Sequence, residues 1–168
     1  MPDSVADIVR RFALVPHPEG GFFREVHRSP LVIDHPALDA TAERRRSSGT
    51  FIYFLLASSD FSAFHRVRAS DEIWHVYAGG ELELHTIDAD QRYAKHVLTT
   101  DLARGEPALV VPGGWWQAAR PAPGSAWAFC GCTVAPGFDF ADFAMPPAAE
   151  LVAAYPAHAR IIRELTRR

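Results

Sequence analysis

The sequence is short of cysteine, and this scarcity limits the kinds of site that it could form. Cys130 and Cys132 are the only two cysteines among the 168 residues. Their C-x-C spacing on a predicted strand places both side chains on one face, because alternate strand residues point the same way. Two thiols without a further cysteine pair make a poor zinc site. We therefore predict that both are reduced thiols buried in the core.

Long apolar runs are also missing, and so is a basic segment at the start of the chain. No apolar stretch approaches the roughly 18 residues needed to cross a bilayer. The first residues, Met1-Pro2-Asp3, lack the basic and then apolar segments of a secretory leader. We expect a soluble cytoplasmic protein that has no membrane partner.

Positive charge is not in excess, since the formal net charge is −3. The basic cluster Arg44-Arg45-Arg46 is flanked by Glu43 and Ser47 within residues 29–48, a stretch rich in Pro, Asp, Ala and Arg. Binding to nucleic-acid phosphates needs a wider cationic face. We therefore interpret 29–48 as a long, solvated surface loop and expect no nucleic-acid partner.

The chain does contain a series of short β-type runs between two helical ends. Residues 4–15 have an amphipathic pattern with Ser4 at the N-cap position, and Pro146-Pro147 opens a second helical stretch over about 147–166. Without intervening helices, the runs between them predict an antiparallel sandwich or barrel. We predict a single all-β domain over 1–168, with a β-barrel over about 20–140. The runs are 50–57, 62–68, 72–78, 81–87, 93–98, 107–112, 115–119 and 125–134.

Two glycine-bounded segments carry polar side chains on these predicted strands. In the first, His65 and Glu72 lie on two short runs that a turn separates. Strand alternation directs His65, Glu72 and Trp74 to the inside and His75 to the opposite face. His75 is therefore better explained as a structural histidine unless a bulge reverses its direction. The second segment ends at Gln117, whose amide could converge on His65 and Glu72.

These segments resemble the two motifs of the cupin superfamily. The first motif, G-x5-H-x-H-x3-4-E-x6-G, is matched over residues 65–79 with Val67 in place of the second histidine. The second, G-x5-P-x-G-x2-H-x3-N, is matched over residues 105–117 with one extra residue. Gln117 there replaces the ligand histidine.

Four further sequence segments resemble those of the cupin-5 branch of this superfamily. They are HPEGG at 17–21, FHRV at 64–67, EIWH at 72–75 and APGF at 135–138. The resemblance implies a double-stranded β-helix, the cupin jelly roll, like that of the deoxythymidine-diphosphate-sugar epimerases. It also implies a homodimer.

The resemblance implies a divalent transition metal, which cupins bind through three histidines and a glutamate. The matching positions here hold His65, Glu72, Gln117 and Val67. Amide oxygen is a weak ligand, and loss of an imidazole removes much of the affinity, so we do not expect a full ligand set. A weakly held ion on His65, Glu72 and Gln117 is the alternative.

Proton transfer is the other chemistry that these residues could support. Buried imidazole and carboxylate groups can act as base and acid, with His65 as the base and Glu72 as the group that orients it or returns the proton. The strand pattern leaves open whether His85 faces the lumen or solvent, and each tryptophan could simply fill the barrel. The candidate ligand-pocket residues are Tyr53, Trp74, His75, His85, Trp115 and Gln117.

The turn at His17–Gly21 is a different kind of signal, because its two glycines permit a close backbone approach. It suits a segment that covers the pocket mouth or crosses to a partner subunit. Glu25 and His27 could then reach the rim of the cavity.

Two functions are consistent with this pattern. The first is a small-molecule enzyme of the epimerase, isomerase or lyase type, as the similarity to sugar-nucleotide epimerases suggests. The second is a non-catalytic module that binds a nucleotide, sugar or other metabolite, which Val67 and Gln117 favour. A dimeric storage-like protein is a third alternative.

Overall fold

The computed structural model describes residues 4–35 and 45–167. Its helices are α1 (Val5–Phe12), α2 (Ala148–Ala154) and α3 (Ala159–Glu164), with 3-10 turns at Phe140–Asp142 and Pro156–His158. Its strands are β1 (Val15–Pro16), β2 (Phe22–Arg28), β3 (Val32–Asp34), β4 (Arg45–Ser47), β5 (Thr50–Ala57), β6 (Ser62–Val67), β7 (Asp71–Gly79), β8 (Leu82–Ile87), β9 (Tyr93–Leu98), β10 (Ala108–Val111), β11 (Trp116–Pro121), β12 (Trp127–Ala135) and β13 (Phe143–Ala144).

Two antiparallel sheets face each other. One has six strands in the order β1-β2-β5-β12-β7-β10, and the other has five in the order β13-β6-β11-β8-β9. The eight strands predicted from the short runs are all present, with ends that differ by two residues at most. The predicted all-β architecture with short terminal helices is therefore confirmed.

The core lies between the inner faces of the two sheets. Phe54 and Leu56 of β5, Trp74 of β7 and Leu84 of β8 are fully buried there. Leu55, which points to the other side of β5, is buried beneath α1. Strand β5 is thus covered on both faces, which explains why its sequence is apolar without alternation.

Helices α2 and α3 cover the outer face of the five-stranded sheet. Leu151 and Ile162 pack there against Phe64 and Trp116. Among the described residues, no helix is long and apolar enough to span a membrane.

Helix α1 is shorter than predicted. Ser4 caps it together with Asp7, as the sequence indicates. The helix ends at Ala13, which has a left-handed φ of 51°. Val15 then pairs with Phe23 in the sheet, so the last residue of the predicted helix lies in an edge strand instead.

Residues 29–48 are not wholly a surface loop, and this prediction needs correction. Strands β3 and β4 pair as an antiparallel ribbon, while Arg44 lies outside the described residues. Arg46 is buried, and its guanidinium donates two hydrogen bonds of 2.8 and 3.2 Å to the carboxylate of Asp142. A paired guanidinium can be buried in this way because its charge and its N–H donors are satisfied.

Candidate functional site

A cavity of about 280 Å³ opens at one end of the space between the sheets. Its polar lining includes His17, Glu19, His65, Glu72 and Cys132. Cys132 and Cys130 are buried free thiols, as predicted. Because the core cluster between the sheets is built mainly of apolar side chains, such a concentration of ionisable groups marks a candidate site.

Strand pairing places the two residues of the first motif. His65 of β6 is paired in register with Gln117 of β11, and Glu72 of β7 with Val134 of β12. Both side chains point between the sheets, as the predicted alternation requires, and both line the cavity.

His65 is held between two carboxylates. Its Nδ1 donates to the carbonyl of Ala63 at 2.8 Å and lies 3.3 Å from Glu19 Oε2. Its Nε2 lies 3.9 Å from Glu72 Oε2, which is beyond hydrogen-bond length. Burial by itself would lower the pKa of His65, but Glu19 and Glu72 outweigh it and raise the pKa to about 9. The imidazole therefore carries two protons at neutral pH.

A chain of hydrogen bonds fixes Glu72. Trp74 Nε1 donates to Gln117 Oε1 at 2.8 Å, and Gln117 Nε2 donates to Glu72 Oε2 at 2.6 Å. Burial would raise the pKa of Glu72, but His65, Cys132 and Gln117 together hold that pKa below its usual value. Gln117 and Trp74 thus orient the carboxylate and are not themselves part of the cavity lining.

Glu19 and His17 enter the cavity from the HPEGG turn, and the strand pattern of the sequence did not place them in the site. Ser62 Oγ donates to Glu19 Oε1 at 2.8 Å, and His17 Nδ1 lies 3.7 Å from Glu19 Oε2. Burial lowers the pKa of His17, although Glu19 opposes this shift. The signal that could have identified them was the His-x-Glu sequence directly before two glycines.

Two things favour glycine in this turn: its backbone has positive φ, and there is no room for a Cβ atom. Gly20 has φ of 114°, and a Cβ there would lie 2.1 Å from the carbonyl oxygen of Phe61. Arg167 Nη2 closes the same region by donating to the carbonyls of Phe61 at 2.8 Å and Glu19 at 3.3 Å. The turn is therefore fastened against the loop before β6, and this position brings Glu19 to His65.

The mouth of the cavity combines charge with aromatic rings. Arg28 forms an ion pair of 2.7 Å with Glu25 and donates to the carbonyl of Phe138 at 3.1 Å. Phe143 stacks on the His65 ring at 5.4 Å, and Phe140 is 60% exposed at the rim. Glu25 thus reaches the rim as predicted, whereas His27 is exposed and is not in the lining.

Three of the predicted pocket residues lie elsewhere. Tyr53 and His75 occupy the outer face of the six-stranded sheet, where Tyr53 contacts Phe12 and His75 shares a 3.2 Å hydrogen bond with Thr133. Side chains alternate between the two faces of a strand, and the residues next to Tyr53 and His75 along their strands point inward, so these two point outward. Trp115 packs partly buried against the core and does not line the cavity.

His85 also lies outside the cavity. It is on the outer face of the five-stranded sheet because Leu82 and Leu84 of the same strand point into the core. Its Nδ1 shares a 2.8 Å hydrogen bond with the hydroxyl of Tyr93, in a surface depression beside α3.

The donor set does not fit the metal site that the resemblance implies. Val67 offers no donor atom, and both ends of the Gln117 amide are hydrogen-bonded to Trp74 and Glu72. His65 Nδ1 is taken up by a carbonyl. Across residues 4–35 and 45–167, no three His, Cys, Asp or Glu side chains are grouped so that they could hold an ion.

Comparisons with known proteins identify relatives that match most of the chain. The uncharacterised protein YML079W of Saccharomyces cerevisiae is 28% identical over 151 residues, which cover 84% of this chain and 74% of that protein. A hypothetical protein from Leishmania major has a TM-score of 0.87 and 33% identity, and the alignment covers 99% of this chain and 100% of that one. Protein SO0799 from Shewanella oneidensis has a TM-score of 0.85 and 33% identity, with 98% of each chain covered. Residues 6–146 match the model of the family described as "Cupin superfamily (DUF985)", so the chain belongs to this cupin family and has the predicted cupin fold.

Proposed function

We propose that this cupin is a small-molecule enzyme of the epimerase or isomerase type, which moves a proton in the cavity by means of His65 and Glu72. The observation that carries the proposal is the 3.9 Å separation between His65 Nε2 and Glu72 Oε2 in a buried, open-ended cavity. A ligand oxygen or carbon beside this gap would contact an acid and a base together.

The charge of His65 supports acid and base roles that are the reverse of those expected from the sequence. Since its pKa is about 9, His65 is the acid at neutral pH and the Glu72 carboxylate is the base. Glu72 takes a proton from a carbon next to a carbonyl group, and His65 gives its Nε2 proton to the carbonyl oxygen. With a hydroxyl on the carbon that loses the proton, the neutral enediol gives the isomer when Glu72 delivers its proton to the former carbonyl carbon and His65 takes the proton of the neighbouring hydroxyl. Delivery of the proton to the opposite face of the original carbon, with return of the enol proton to His65, gives the epimer instead.

The volume of the cavity limits the size of the substrate that it can hold. A volume of about 280 Å³ is at the lower end of ligand pockets. It accommodates a molecule of monosaccharide size, so the nucleotide half of a nucleotide sugar would remain outside. The rings of Phe23, Phe138 and Phe143 supply apolar walls for such a molecule.

Deuterium uptake tests the reaction on a panel of candidate substrates at once. Wild-type protein is incubated in D2O with a set of monosaccharides and small hydroxyketones, and carbon-bound deuterium is detected by mass spectrometry. His65→Gln should lower the rate of uptake by about 100-fold or more. His75→Gln is the matched control, because His75 lies on the outer face of its strand.

The pH profile separates the two possible roles of His65. An acid must be protonated, so the rate should fall as the pH rises through about 9. A rate that rises between pH 7 and 9 would instead assign His65 as the base. Unchanged uptake in His65→Gln would contradict the proposal altogether.

A non-catalytic binding module is the second candidate. It is favoured by the hydrogen bonds from Ser62 and Gln117, which hold Glu19 and Glu72 in fixed positions. In that case a ligand would stabilise the protein against heat in a saturable way, and no deuterium would enter it.

We also propose a homodimer, in which the outer face of the six-stranded sheet packs against a second copy. Tyr77 and Val110 are 42% and 51% exposed on this sheet, and Tyr77 stacks beside His75. Tyr77→Glu should convert the dimer to a monomer in light scattering, whereas a wild-type monomer would contradict the proposal.

A further inference from the structure

The cavity has more carboxylates than cationic groups. Four carboxylates line it, against the guanidinium of Arg28 and the imidazoles of His17 and His65. The carboxylates outnumber the cationic groups by one even when both imidazoles are protonated. They belong to Glu19, Glu25, Glu72 and Asp139.

This excess of negative charge is greatest in the deep part of the cavity. Arg28 lies at the rim, where it is paired with Glu25. Glu19 and Glu72 are only 6% and 7% exposed. The imidazole of His65 lies between them, and the imidazole of His17 lies 3.7 Å from Glu19, but burial lowers the pKa of His17 and so disfavours a positive charge on it. Uncompensated negative charge in such a poorly solvated place is costly, so a positively charged ligand group would be favoured beside these two carboxylates.

Nearby arginines do not remove the excess. Arg167 is directed to Asp60 and to backbone carbonyls, and Arg46 is paired with Asp142. A ligand can therefore supply the charge that the protein side chains do not.

A second feature of the cavity points to an organic cation. Four phenylalanine rings, Phe23, Phe138, Phe140 and Phe143, form its apolar walls. The faces of aromatic rings attract cations, and the rings also bury the carbon body of a ligand. A bare metal ion would use none of this surface, and the described residues group no three metal-ligating side chains.

We propose that the cavity selects a small organic ammonium compound, with its ammonium group beside Glu19 and Glu72 and its carbon body against the phenylalanines. The inference rests on the proposed use of this cavity as the ligand site. It deepens that proposal by naming the charge of the ligand, and it excludes phosphorylated or carboxylated substrates.

A matched series of probes that differ in charge tests the inference. Benzylamine, benzyl alcohol and benzoate are titrated into the protein at pH 7, and dissociation constants are measured by calorimetry and by NMR shifts of the cavity residues. Benzylamine should bind about tenfold or more tightly than benzyl alcohol, since a single charge pair can supply the corresponding free energy. Benzoate should bind most weakly.

Single substitutions identify which carboxylates are responsible for the preference for benzylamine. Glu72→Gln and Glu19→Gln should each abolish most of the preference for benzylamine. Glu25→Gln at the solvated rim should reduce it in part, and this variant keeps the test decisive if a deep substitution prevents folding. Glu83→Gln is the control, because Glu83 is a buried carboxylate outside this cavity.

Several results would overturn the inference. They are equal binding of the three probes, tighter binding of benzoate, no binding of benzylamine, and displacement of benzylamine by stoichiometric Zn²⁺ or Mn²⁺, which would identify a metal site. Each result leaves the deuterium-uptake experiment to decide independently whether His65 and Glu72 catalyse proton transfer.

Discussion

Two buried histidines of this protein lie next to glutamates and yet differ in charge. His65 in the cavity is 2% exposed and lies 3.3 Å from Glu19, while His85 outside the barrel is 1% exposed and lies 3.6 Å from Glu83. The pKa of His65 is raised to about 9, and that of His85 is lowered to about 4.

The partners of each glutamate explain the difference. Burial lowers the pKa of His85, and Arg120 and Lys95 add to this effect because both form ion pairs of 2.8 and 2.9 Å with Glu83. Glu19 instead accepts its hydrogen bond from the neutral hydroxyl of Ser62, so its full charge acts on His65. Contact with a glutamate therefore does not by itself fix the protonation state of a histidine. The other partners of that glutamate determine whether the imidazole is a protonated acid or a neutral structural group.

The largest expected effect is on the pH dependence of stability. Between pH 6.5 and 9 the native protein holds a proton on His65 that the unfolded chain has released, so the free energy of unfolding should fall as the pH rises. The pKa change of His65 corresponds to on the order of 3 kcal/mol over this window. Urea unfolding at pH 6.5 and pH 9 measures it, and His65→Gln should largely remove the slope.

His85 provides the internal control for that experiment. Its pKa is lowered on folding, so it should make stability rise with pH between about 4 and 6.5. His17 and His75 act in the same direction. His85→Gln should reduce the acid slope and leave the alkaline slope unchanged, and loss of the alkaline slope in His85→Gln would break the comparison.

Removal of a charged neighbour should have an intermediate effect, which is a change in the pKa of each histidine. Glu19→Gln should lower the pKa of His65 by about one unit or more, since it removes a buried negative charge in contact with the ring. Arg120→Met should raise the pKa of His85, because it removes a cation and exposes the charge of Glu83. NMR titration of the two imidazoles measures both shifts, and a pKa of His65 that is unaffected by Glu19→Gln would contradict the assignment.

The smallest expected effect concerns the fastening of the HPEGG turn. Arg167→Met removes the hydrogen bonds to the carbonyls of Glu19 and Phe61, which should cost about 1 kcal/mol of stability. It should also lower the pKa of His65 slightly, as Glu19 moves away. Arg160→Met is the matched control, because its exposed pair with Glu164 on α3 should have little effect on either quantity.

Strand alternation predicted the directions of the β7 side chains but not which residues line the cavity. In β7 it placed Glu72 and Trp74 inside and His75 outside, since one face of that strand is polar or weakly packed and the other is core. Alternation could not place Tyr53, because β5 is buried on both faces and its sequence has no polar side to identify. It also left His85 open, because a row of Glu83 and His85 could face either a polar lumen or solvent.

Two features could be read from local sequence: the alternation of polar and apolar residues along the strands, which has a period of two, and the cupin motifs with their departures at Val67 and Gln117. Two other features depend on how the chain packs in three dimensions. Glu19, far from His65 along the chain, contacts its imidazole, and Arg120 and Lys95 form ion pairs with Glu83. The charge of a buried histidine depends on distances across the fold of a few ångströms, and such distances are set when the strands and turns pack together.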